Sequence, residues 1–258
     1  MNVENFDFLK NQVKFTGFGE SLENDLRSNM EKQEDTFQLT HPHEFGKDQT
    51  TATLHFRKSD QNMYFFNSYH LSVKPHGVND PIERTFYVGK DNTYTLKEAY
   101  NLLSGRAVNK DLVNREGKDY NAWVQLDFKD TDHSGNYKLK PFTENYGYDL
   151  EETLGKLPIK ELATTEDKAK LIESLKKGNL QSVIFLNDGN EQKRFIEANP
   201  QFKAITIYDD NMKRIRVDQK EGNNISQSAK KERTQKAGQA ETTLKSGEKK
   251  SRKKRQAI

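Results

Sequence analysis

The chain has no cysteine, one tryptophan and six prolines in 258 residues. Without a thiol there is no disulfide scaffold, no thiolate zinc site and no cysteine nucleophile, and a reducing compartment suits such a composition. Apolar residues are scarce at 32%, so part of the chain is expected to stay unpacked. Long hydrophobic runs are missing as well. Near the centre the longest is Val183-Ile184-Phe185-Leu186, far short of the roughly 20 apolar residues that a membrane helix needs. The opening MNVENFDFLKNQ carries acids and Asn where a secretory signal needs a basic and then an apolar segment. The expectation is a soluble, cytoplasmic protein without membrane contact.

Motifs for common chemistries are absent too. Gly46-Lys47 and Gly89-Lys90 lack the upstream Gly and the following Ser/Thr of a phosphate loop. No Gly-x-Ser-x-Gly elbow marks a serine hydrolase. Carboxylates are plentiful, but on a hydrophilic chain they read as solvated charge rather than an acid/base pair. No cofactor and no catalytic residue are expected.

What is present is unevenly distributed. Residues 219–258 hold twelve Lys/Arg against four Asp/Glu, a net +8, which leaves −5 for the remainder of a chain whose total is +3. The last aromatic residue is Tyr208. A segment with dense charge and no aromatic ring buries too little surface to offset its ordering entropy, so residues 219–258 are expected to form a disordered basic tail.

Upstream, the pattern changes period. Phe6, Leu9 and Val13 recur at helical spacing, and after the Gly17-Phe18-Gly19 break so do Leu22, Leu26 and Met30, which predicts two short helices within residues 1–35. Ala52, Leu54 and Phe56 then alternate with polar residues. Ser59-Asp60-Gln61-Asn62 supplies turn chemistry, and Phe65, Tyr69, Leu71 and Val73 share one face of an extended stretch. That predicts a hairpin, followed by a third strand over 84–88. Thr95 and Glu98 fit a capping box for a helix carrying Leu96, Ala99, Tyr100 and Leu103, with Gly105 at its stop. Strands are predicted over 120–127, 137–140, 182–186, 192–197 and 204–208, with helices near 150–154 and over 166–177.

Two stretches look alike. Leu102-Leu103-Ser104-Gly105 matches Leu175-Lys176-Lys177-Gly178. Gly117 and Gly189 follow at nearly equal distances, and Trp123 and Phe195 each stand six residues later. A duplicated α-β-β module is the economical reading. The expected class is therefore α+β: an N-terminal helical segment (1–35), a first β-rich module with an αββ unit (36–157), a second αββ module (158–218) and the tail (219–258).

Several clusters invite chemistry. Asp130–Gly135 begins like a calcium loop, but its twelfth position is Pro141 rather than Glu, so a polar hairpin tip is expected. His41-Pro42-His43-Glu44 offers two imidazoles at strand spacing, which His55 and His70 would have to complete; exposed histidines without a metal are the expectation. The aromatic cluster Tyr64–Tyr69 fits either base stacking or core packing, and most of its rings are expected in the core. The most polarised feature is Lys249, Lys250, Arg252, Lys253, Lys254 and Arg255, six cations in seven positions and the candidate nucleic-acid-binding residues.

Four strings, Tyr94–Val108, Tyr120–Phe128, Asn145–Leu150 and Phe195–Phe202, together resemble an uncharacterised family of Bacteroidetes proteins, with a domain of unknown function, carried on conjugative and other integrative mobile elements. The resemblance covers most of residues 36–216. It implies a cytoplasmic bacterial protein of a mobile genetic element, and it supplies no catalytic residue. The functional expectation is a non-enzymatic accessory protein that binds a protein partner through its folded part and DNA or RNA weakly and non-specifically through its tail. The alternatives are an inhibitor of a host defence enzyme by acidic-surface mimicry and an enzyme with scattered carboxylates.

Overall fold

The computed structural model describes residues 1–89, 92–187, 189–217 and 225–226, and residues 1–226 form one compact unit. The class is α+β, with short helices and antiparallel sheets. Helix α1 (Val3–Val13) starts where the Asn2 side chain accepts from the Asn5 amide, and it buries Phe6, Leu9 and Val13 at the spacing that marked it as helical. One wider turn over 14–18 follows and stops at Gly17, whose φ of 102° and close approach to Leu96 favour glycine. Helix α2 (Glu23–Lys32) buries Leu26 and Met30.

Both helices lie on one face of a four-stranded sheet, β1 (Thr36–Phe45), β2 (Asp48–Lys58), β3 (Tyr64–Lys74) and β4 (Ile82–Tyr87), paired in that order. The first strand is absent from the sequence-based reading. Phe37, Leu39, His41, His43 and Phe45 form its inward row, and two imidazoles in that row hide the alternation. Its Pro42 is tolerated because β1 is an edge.

A second difference concerns Phe65, expected on the face of Tyr69. The β2–β3 register shifts at His55/Phe56, leaving Asn67 as an extra residue in β3. Because side chains alternate with period two, one extra residue reverses every position before it. Tyr64 and Phe66 are therefore buried with Tyr69, Leu71 and Val73, and Phe65 points outward. At this end of β3, beyond the reach of β4, the side chain of Asn5 stands in for a neighbouring strand. Its Nδ2 donates to the Tyr64 carbonyl (3.0 Å) and its Oδ1 accepts from the Tyr64 amide (2.8 Å).

Helix α3 (Leu96–Leu103) closes the first core. Its capping box forms as expected, and Lys110 joins it at 2.8 Å from Glu98 Oε2. Strands β5 (Val108–Val113), β6 (Asp119–Thr131) and β7 (Tyr137–Thr143) make a three-stranded middle sheet. Val108 and Leu126 join the first core, whereas Trp123 and Phe142 join a second one. That second core also takes Leu150 and Leu154 around α4 (Leu150–Gly155), Leu171 and Leu175 of α5 (Thr165–Lys176), and the inner row of the last sheet. The last sheet is a meander of β8 (Gln181–Asn187), β9 (Asn190–Asn199), β10 (Ala204–Tyr208), β11 (Arg214–Val217) and β12 (Ile225–Ser226), each paired with the next. The boundary at 157/158 thus falls inside this second core.

The ends of α3 and α5 dock on each other. Gly105 (φ 81°) and Gly178 (φ 77°) stop the two helices in left-handed conformation. Asn101, fully buried in α3, donates to the Lys177 carbonyl (2.6 Å) and to Asn179 Oδ1 (3.0 Å). Arg106 bridges the Asn101 side-chain oxygen and the Gly178 carbonyl. Polar atoms at a buried joint are thereby satisfied, which is what makes such a joint tolerable.

Candidate binding face

The face of the four-stranded sheet opposite the helices has no covering element among the described residues. Strand register sets its side chains in rows. Gln38, His55, Ser68 and Tyr87 form one row; Thr40, Thr53, His70 and Thr85 form the next; Arg57 pairs with Phe65 beyond them. Phe65 is 54% exposed and Tyr87 68% exposed. Rings of that size left in water on one sheet face are the kind of feature that marks an interaction surface.

At this end of the sheet lies an open concavity of about 1500 Å³, reached by Phe65, Tyr87, His55, Arg57 and Lys58, with Asp60 as its lone lining carboxylate. Lys58 sits 3.6 Å from Asp35. The His55 imidazole is held below its ordinary pKa by burial first and by neighbouring His70 second, so it is neutral near pH 7. His70 meets the Thr85 hydroxyl at 3.2 Å and Glu83 at 3.5 Å. The arrangement offers aromatic faces, a guanidinium and hydrogen-bonding hydroxyls.

The other candidate clusters resolve separately. His41 and His43 stack on the helix-covered face, their rings 5.9 Å apart, while His55 and His70 lie on the open face; the sheet separates the two pairs. No group of three or more His, Asp or Glu is placed to hold a metal among the described residues. Asp132 accepts from the amides of Ser134 and Asn136 in a hairpin tip. Of the half-buried or buried acids, Glu98 pairs with Lys110, and Glu197 accepts from Tyr208 Oη at 2.7 Å while burial raises its pKa.

Lys249, Lys250, Arg252, Lys253, Lys254 and Arg255 lie outside the described residues, as does the rest of the expected tail apart from Ile225–Ser226, which pair with β11 as a strand rather than staying unstructured. Tyr64, Phe66 and Tyr69 are core residues, as expected for most of that cluster. Tyr87 and Arg57 are face residues that sequence reasoning does not single out, and Phe65 is one that it places on the opposite face. An outward Tyr87 next to the inward Phe86 was readable from alternation; the outward Phe65 was not, because nothing in the sequence flags the bulge. No helix among the described residues is long and apolar enough to cross a membrane. No family model, no curated protein and no solved structure matches the chain.

Proposed function

We propose that this chain is a non-enzymatic accessory protein of a bacterial mobile genetic element, which docks a protein partner on the open face of its four-stranded sheet and holds nucleic acid weakly through the basic run at 249–255. The observation that carries the reading is the uncovered sheet face with Phe65 and Tyr87 exposed beside Arg57, in a body that is net acidic apart from the tail. An aromatic and cationic patch fits a partner that brings apolar side chains ringed by acids. The mobile-element setting rests on the sequence resemblance alone. A duplicated module is supported by the shared order of helix, left-handed Gly, strand, Gly turn and strand in α3–β6 and α5–β9. The aromatic pair departs from that symmetry: Trp123 is buried in the second core, and Phe195 is half-buried under Lys193.

A second reading follows from the same rings. Exposed aromatics on an open antiparallel sheet stack on unpaired bases, each base contributing about 1–3 kcal/mol. One experiment separates the two. Fluorescence anisotropy is measured with single- and double-stranded DNA on the full chain, on a variant with all six cations of 249–255 changed to Gln, and on Phe65→Ala/Tyr87→Ala. With nucleic acid held by the run, the log–log salt slope on double strands approaches about −5 and vanishes in the Gln variant. Single-strand binding that survives in the Gln variant and is lost in the aromatic variant supports the second reading. Binding unchanged in both variants refutes the holding of nucleic acid by the basic run and by the two rings alike.

A further inference from the structure

Strand β4 carries an anomaly. Its inward row runs Ile82, Arg84, Phe86, opposite Val73, Leu71 and Tyr69 of β3, so a guanidinium occupies a position where its neighbours are apolar. Nε and Nη1 of Arg84 are shut off from solvent and have no hydrogen-bond partner among the described residues. The carboxylate that acts on it most, Asp132, forms no ion pair with it and is engaged by Ser134 and Asn136. Burial holds the guanidinium below its ordinary pKa range, and the ring of Phe86 lies 5.4 Å from it. Buried donors in native proteins almost always find an acceptor, and a charged donor left without one is costly.

Beside Arg84 is a cavity of about 330 Å³ between β4 and the middle sheet, walled by Phe86, Tyr94, Leu112, Tyr120, Val124 and Leu139, with Pro141 at its rim. Its size is at the low end of small-molecule sites, and its walls are mostly apolar and aromatic, with Thr85 and Asn92 as polar members and Arg84 as the charged one. We propose that this cavity binds a small organic anion, a carboxylate or phosphate on a flat apolar body, with the Arg84 fork as its counter-charge. The acid brings a counter-charge to the guanidinium that lines the cavity, and the body fills the slot between the tyrosines. A guanidinium suits this role better than an ammonium because it is weakly hydrated and keeps its charge when half-buried.

An inward charge on an edge strand also guards against edge-to-edge pairing. That role needs a charge alone, whereas anion binding needs the cavity as well, and the test distinguishes them. The full chain is titrated calorimetrically with benzoate, phenyl phosphate and inorganic phosphate, alongside Arg84→Gln, Arg84→Lys and Pro141→Trp, the last of which blocks the rim without entering the core. The expected result is binding of one aromatic anion per chain, at least about tenfold tighter than inorganic phosphate. Arg84→Gln and Pro141→Trp each weaken it by about tenfold or more, and Arg84→Lys restores only part. The tighter of benzoate and phenyl phosphate identifies the acid. If Arg84→Gln does not fold, Pro141→Trp decides alone. No binding of either aromatic anion up to about 10 mM overturns the proposal. So does affinity that both Arg84→Gln and Pro141→Trp leave intact, and a shift of Arg84→Gln to higher oligomers at unchanged affinity would assign the residue to edge protection.

Discussion

Gly178 and Gly105 offer a controlled comparison, because both end a helix at nearly the same positive φ and differ in what surrounds them. A β-carbon on Gly105 would meet only Phe128 Cε2, at 3.8 Å. On Gly178 it would stand 2.8 Å from the Ala107 carbonyl oxygen, 2.9 Å from Val108 Cγ2 and 3.1 Å from Asn101 Cβ. Alanine at either site pays the left-handed backbone penalty, about 1–2 kcal/mol. At Gly178 the nearest obstacle is backbone, which cannot rotate away, so overpacking adds about 1–3 kcal/mol. The expected losses are about 1–2 kcal/mol for Gly105→Ala and about 2–5 kcal/mol for Gly178→Ala. Urea unfolding followed by circular dichroism and Trp123 emission measures both, with equal slopes required before the midpoints are compared. Equal losses, within about 0.5 kcal/mol, would refute the claim that the two helix ends are in tight contact.

Asn5→Ala leaves the Tyr64 amide and carbonyl without their side-chain partner, for an expected loss of about 2–4 kcal/mol; an effect below about 0.5 kcal/mol in the same melts would mean that water replaces Asn5 freely. Lys110→Met strands Glu98, whose side chain is 10% exposed, and is expected to cost about 2–3 kcal/mol, with Glu98→Gln/Lys110→Met recovering part of it in a double-mutant cycle. Glu197 gives a pH test. Its folded pKa is raised by burial, so the native state favours its protonated form, and that contribution is present below the unfolded value and lost as pH rises through the folded one. Glu197→Gln should therefore match the wild type at acid pH and exceed it in stability near pH 8; a variant that is relatively weaker at the higher pH contradicts the sign.

How far the sequence reveals this molecule depends on what each element rests on. Helices α1 and α2 announce themselves through apolar spacing, and α3 and α5 through their start or stop signals as well, because those signals are local. The capping box of Thr95 and Glu98 was legible for that reason, whereas the third member, Lys110, was not, since it arrives from the next strand. Strand β1 escapes a local reading because His41 and His43 break its alternation; β5, interrupted by Asn109, Lys110 and Asp111, is implied only by the repeat; β11 and β12 are too short to stand out. The open face was half legible. Tyr87 follows from alternation, while Phe65 depends on a bulge that only pairing reveals. The joint through Asn101 and Arg106 spans more than seventy residues of chain, and local pattern carries no trace of it.

Strand β6 has a consequence for how the chain tolerates change. Its successive residues belong to different interiors, with Trp123 in one, Leu126 in the other, and Ala122 and Val124 in a small cluster of their own. A sheet with one wet side absorbs a slipped strand by exposing a few apolar groups, but at Ala122, Trp123 and Val124 both sides of β6 are buried. Moving β6 by one position would push Trp123 into the space of an alanine or a valine and withdraw it from the opposite interior at once. Length variation should therefore collect at the turns around Gly117 and Gly135, which have open space about them, and be excluded from the strand that joins them.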